Sequence, residues 1–66
     1  MKIIVNGKEM SLPEDSNIQD LVAQLGCINK RIAIEINKEI IPKSKYQSHL
    51  LEYLDKVEVI NAVGGG

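Results

Sequence analysis

The chain has 66 residues, and a single domain of that size buries only about 60% of the surface its unfolded chain exposes, leaving a margin of stability of a few kcal/mol. Eight Lys and Arg against nine Asp and Glu give a net charge of -1 with the signs interspersed, which excludes the basic footprint of a nucleic-acid binder and a polybasic membrane anchor. One cysteine, Cys27, excludes an internal disulfide and a multi-cysteine metal site and points to a reducing compartment.

Hydrophobic content is 44% with no Phe or Trp, so the core is expected from Ile, Leu, Val and Met, a composition that favours strands. The opening "MKIIVNGKEM" carries one lysine and three consecutive apolar residues, far short of a signal peptide or a membrane span. A cytoplasmic, soluble protein is expected.

"KIIVNGKEMSL" reads as a β-hairpin. Asn6 and Gly7 both tolerate positive φ, as a type I′ turn requires, and a two-residue loop sets Val5 opposite Lys8, Ile3 opposite Met10 and Met1 opposite Leu12. Met1, Ile3, Val5, Met10 and Leu12 then share one face, with Lys2, Ile4, Glu9 and Ser11 on the other. In "LPEDSNIQDLVAQLG" the period changes to that of a helix, predicted over 16–25. Ser16 and Gln19 fit a capping box, Ile18, Leu21, Val22 and Leu25 form one stripe, and Gly26 is placed for the left-handed C′ position.

After a polar link at Asn29 and Lys30, "RIAIEINKEII" alternates again, with Ile32, Ile34 and Ile36 on one face. "NKE" makes a second turn, Ile40 and Ile41 a short strand, and Pro42 ends it because it has no N–H for a ladder. "KSKYQSHLLEYLD" is read as a helical turn and a loop over one edge of the core, with no boundaries assigned. "KVEVINAV" is a last strand that delivers the chain to Gly64, Gly65 and Gly66. The order strand, strand, helix, strand, short strand, strand is that of an α+β, β-grasp (ubiquitin-like) fold, a mixed sheet of four to five strands with one helix packed across it. The expected organisation is a β-grasp domain over 1–63 and a flexible glycine tail over 64–66.

The side chains offer no constellation for catalysis. His49 is a lone histidine without a spaced partner and reads as a surface or capping residue. Cys27 follows the helix C-terminus, away from the positive end of the dipole that activates thiols, and reads as a half-buried filler. Glu14 with Asp15 and Glu52 with Asp55 read as solvated charge, since one sheet and one helix leave little room for the cleft a catalytic pair needs. "NGKEM" lacks the glycine spacing and following helix of a phosphate loop. Elimination leaves the chain end: glycines carry no Cβ, and six extended residues reach roughly 20 Å, enough to thread a narrow channel in a partner.

Over its whole length the sequence resembles the sulfur-carrier proteins of thiamin biosynthesis, the ThiS family of the β-grasp group. The resemblance lies in "VNGKEM" after an apolar strand, "IQDLVAQLG", "IAIEINKEIIPKSKY", "LDKVEVI" and the terminal Gly-Gly. It implies a carrier rather than an enzyme, with no bound cofactor and no metal. An E1-like adenylating partner, using ATP and Mg, would join AMP to Gly66. A persulfide supplied by a cysteine desulfurase or other donor would displace AMP to leave a thiocarboxylate, and thiazole synthase would receive the sulfur. Gly64, Gly65 and Gly66 would be the tail that enters partner channels, with Val57 to Val63 as its stem. Two departures from the family pattern are Leu54, where many relatives have Gly or another turn residue before Asp55, and Gly64, a third glycine that loosens the tail without changing its chemistry. The same fold and ending also suit a sulfur carrier for molybdopterin or tRNA thiolation, a ubiquitin-like protein modifier, or an interaction domain with an inert tail.

Overall fold

The computed structural model of the protein describes residues 1–28 and 30–61. Asn29 in the expected polar link, Ala62 and Val63 of the expected stem, and the tail Gly64 to Gly66 lie outside the described residues. Five strands and one helix follow in the expected order: β1 (Lys2–Val5), β2 (Lys8–Ser11), α1 (Ile18–Gln24), β3 (Ile32–Ile36), β4 (Glu39–Ile41) and β5 (Lys56–Asn61). A 3-10 turn at Lys43–Lys45 lies between β4 and β5. The sheet order is β2-β1-β5-β3-β4, with β1 and β5 parallel and the other neighbours antiparallel.

The first hairpin has the expected register. Val5 faces Lys8 and Ile3 faces Met10, and the Leu12 N–H donates to the Met1 carbonyl (2.9 Å) while the Met1 amino group donates to that of Leu12 (2.8 Å). Asn6 and Gly7 take φ of 50° and 82°, the two left-handed conformations that a type I′ turn demands. The second hairpin turns the same way at Asn37 and Lys38, with φ of 50° and 72°. One face of the sheet contributes Ile3, Val5, Ile34, Ile36 and Val57 to a single core, closed by Ile18, Leu21 and Val22 of α1 and by Leu12, Ile41, Tyr46 and Leu51.

The helix starts one residue later than the Ser16 and Gln19 capping box implies. Asn17 is the N-cap: its Oδ1 accepts from the Asp20 N–H (2.7 Å), and Asp20 Oδ2 accepts from the Asn17 N–H (2.9 Å). Ser16 instead donates its hydroxyl to the Pro13 carbonyl (2.7 Å) within the turn that leads in. Both pairs have the same spacing, and tertiary contacts decide between them. The Ile18 N–H donates to the His49 carbonyl, the Gln19 N–H to that of Tyr46, and Asn17 Nδ2 to that of Gln47, so the 46–49 loop takes the Gln19 amide that a Ser16 cap would need and leaves the Asp20 amide to Asn17.

Gly26 takes the left-handed C′ conformation with φ of 73°. Its N–H donates to the Ala23 carbonyl and the Cys27 N–H to that of Val22, a Schellman ending in which Cys27 packs back on the core. Leu25, expected on the buried stripe, is the C-cap and is 36% exposed because the chain is already turning away. In the segment left without boundaries, Tyr46 and Leu51 are buried while Leu50, Tyr53 and Leu54 face outward. Leu54, one of the two departures from the family pattern, has φ of 66° and donates its N–H to the Lys2 carbonyl (2.7 Å), so the turn before Asp55 is made with a left-handed residue that is not glycine. No helix among the described residues is long and apolar enough to cross a membrane.

Candidate functional site

The described part of the expected stem is β5, and it lies at the centre of the sheet. "KVEVIN" alternates so that Val57 is fully buried and Val59 half-buried on the helix side, while Lys56, Glu58 and Ile60 are exposed. On one side β3 pairs with β5 along its whole length, from Ile36 opposite Val57 to Ile32 opposite Asn61. On the other side β1 pairs only at Ile4 with Lys56 and Val5 with Val57, because the chain leaves the strand at Asn6. From Glu58 onward β5 has a strand on one flank only.

Side chains from both hairpin turns reach this strand. Asn6 donates its backbone N–H to the Val57 carbonyl (2.9 Å). Its Oδ1 then accepts from the Val59 N–H (2.8 Å), and its Nδ2 lies 3.4 Å from the Val59 carbonyl. Asn37 donates its N–H to the Lys56 carbonyl (2.8 Å), accepts from the Lys56 N–H through Oδ1 (3.0 Å), and donates from Nδ2 to Asp55 Oδ1 (3.1 Å). Asp55 also accepts from the Glu52 N–H through Oδ2 (2.8 Å) and is only 9% exposed. The reading of Glu52 and Asp55 as a solvated pair is therefore corrected: Glu52 is exposed, but Asp55 is a buried structural carboxylate that ties the preceding turn to Asn37.

The other side chains weighed as chemical groups lie apart from β5. His49 is half-buried in a surface depression with Glu39, Ile41, Pro42, Lys45 and Ser48. Cys27 is half-buried at the end of α1, with Sγ 3.6 Å from the Leu25 carbonyl. Glu14 and Asp15 are exposed. Among the described residues, no three His, Cys, Asp or Glu side chains come together as a metal site. Burial raises the pKa of Tyr46, beneath the loop that caps α1. Gly64, Gly65 and Gly66 lie outside the described residues, so the geometry concerns the strand before them.

Sequence reasoning missed Asn6, Asn37 and Asp55 as supports of β5. The turn conformation alone accounts for an Asn at each turn, which hides the second use of the carboxamides. The faint signal is that both asparagines open a two-residue loop, from which a short side chain can bend back across a strand end.

Comparison with known proteins gives one consistent result. The sequence model of the ThiS family matches residues 3–66. The chain is 41% identical to the sulfur carrier protein ThiS of Bacillus subtilis over 63 residues, covering 94% of this chain and 96% of that protein. It is 35% identical over its full 66 residues to a thiazole synthase of Paramagnetospirillum magneticum, of which it spans 20%. The fold superimposes on the crystal structure of the thiamine biosynthesis protein ThiS from Geobacter metallireducens with a TM-score of 0.85 and 26% identity, covering 100% of both chains.

Proposed function

The chain belongs to the ThiS family of small sulfur carriers, and from that premise we propose that it supplies sulfur for thiazole formation in thiamin biosynthesis. The observation that carries this reading is the family match, which extends through Gly64, Gly65 and Gly66. The thiazole synthase relative that contains a segment 35% identical to the whole chain supports thiazole synthase as the acceptor.

The chemistry follows from what a carboxylate lacks. Its charge is spread over two oxygens and its leaving group would be oxide, so it resists acyl transfer. An adenylating partner with ATP and Mg makes the Gly66 carboxylate attack the α-phosphorus and expel pyrophosphate. In the resulting acyl-adenylate AMP is a good leaving group. The terminal sulfur of a persulfide, delivered by a cysteine desulfurase or another donor, displaces AMP. A thiol then cleaves the S–S bond of the acyl disulfide, is itself oxidised to a disulfide, and frees the thiocarboxylate. At neutral pH that group is an ionised nucleophile, held on the chain rather than lost to solution. The catalytic groups and the nucleotide belong to the partners, and β5 presents the arm.

Intact-mass spectrometry of the full chain, incubated with the adenylating partner, ATP, Mg and a persulfide donor, tests this. Exchange of one oxygen for sulfur, with further mass added by a thiol-alkylating reagent, is expected. A carboxylate unmodified under all conditions would sink the reading, and an isopeptide adduct would favour a protein modifier. Rescue of a thiazole-requiring strain by the full chain, but not by a chain lacking Gly65 and Gly66, identifies the acceptor; growth failure despite thiocarboxylate formation would point to another sulfur pathway.

A further inference from the structure

The β1 flank of β5 ends early, yet Val59 is not left bare there. A carboxamide carries the same C=O and N–H pair as a peptide group, and the Asn6 side chain offers both to Val59. It therefore adds one rung to the parallel ladder beyond the last backbone contribution from β1, the Asn6 N–H to the Val57 carbonyl. Asn37 performs a similar service at Lys56, at the opposite end of β5. The two side chains thus separate what holds the beginning of the strand from what holds the part nearest Gly66.

We propose that Asn6 is a positioning residue for sulfur loading: its carboxamide keeps Val59 to Asn61 in the sheet, so that a partner need not order this stretch when it docks. This rests on the sulfur-carrier reading and adds a residue to it. Each backbone residue that a partner must order carries an entropic penalty large enough to weaken docking about ten-fold. Because β3 still holds β5 on its other flank, loss of the Asn6 rung releases only part of that order.

The test uses Asn6→Gly, which keeps the positive φ of the turn and removes the carboxamide, and Asn37→Gly as the matched change at the other end. With the adenylating partner and ATP, pyrophosphate release is measured against carrier concentration. Asn6→Gly is expected to raise the KM for the carrier roughly five- to ten-fold with kcat within about two-fold, since ordering affects docking rather than chemistry. Asn37→Gly leaves both constants near wild type. Asn6→Asp keeps an acceptor for the Val59 N–H and restores most of the KM. Equal KM changes in the two Gly variants, or a change confined to kcat, would overturn the proposal. A second arm needs no partner: amide hydrogen exchange is expected to quicken about ten-fold at Val59 in Asn6→Gly but not in Asn37→Gly. If the wild-type chain is not adenylated, the carrier reading fails, and unchanged exchange at Val59 would independently defeat the positioning role.

Discussion

Asn6-Gly7 and Asn37-Lys38 are turns of the same type that close the two hairpins, and each bends an asparagine onto β5. They differ in what stands behind the asparagine. Asn37 clasps one residue, Lys56, and passes its remaining donor to Asp55, which is buried and bonded again to the Glu52 amide. Asn6 reaches from Val57 to Val59 at the surface, and among the described residues no carboxylate bonds to it. The same local chemistry thus makes a fastened beginning of β5 and a lighter grip toward its end. The second residue also differs: glycine meets its left-handed conformation without penalty, whereas Lys38 at φ of 72° bears a strain that glycine would relieve.

The sharpest way to break the contrast is to remove the carboxylate. Asp55→Ala leaves the Glu52 amide and the Asn37 carboxamide without their shared acceptor, and a loss of about 3 kcal/mol is expected from hydrogen bonds to a charged, buried group. Urea unfolding measures it as a fall in the midpoint at constant slope. Asn6→Gly should cost about 1 kcal/mol by the same measurement, because its bonds are exposed. Equal losses would mean that the two turns are fastened alike.

A smaller effect separates the second turn positions. Lys38→Gly is expected to stabilise by about 0.5 kcal/mol, the relief of left-handed strain less the added freedom of the unfolded chain. Gly7→Lys should destabilise by about 1 kcal/mol. A Cβ at Gly7 meets nothing within 4 Å, so that cost is purely conformational. If Lys38→Gly destabilises, the lysine has a side-chain role that offsets its strain.

The smallest effect concerns a region apart from both turns. Burial raises the pKa of Tyr46, so the folded state holds the phenolic proton more tightly than the unfolded state does. Its contribution is whole below the ordinary tyrosine value of about 10 and is lost as pH rises through the higher folded value. Thermal midpoints should therefore fall more steeply above about pH 10 in the wild type than in Tyr46→Phe, and equally with Asn6 or Asn37 altered. A difference between those two backgrounds would tie the capping loop to one of the turns.

What could be read from residues alone was what neighbours in the chain decide. Alternation and the Asn-Gly turn determined the first hairpin down to its register, because a two-residue loop leaves no freedom to slip. The 3.6 period and Gly26 determined a helix and its ending. The choice of Asn17 over Ser16 as N-cap was left to the tertiary structure, since two equally spaced pairs compete and only carbonyls from the 46–49 loop select between them. The burial of Asp55 was hidden for the same reason: its partner Asn37 is 18 positions away in sequence. Most distant of all, Asn6 and Val59 are 53 positions apart, and only a parallel β1 and β5 pairing that ends short makes a turn residue serve the strand leading to the glycines.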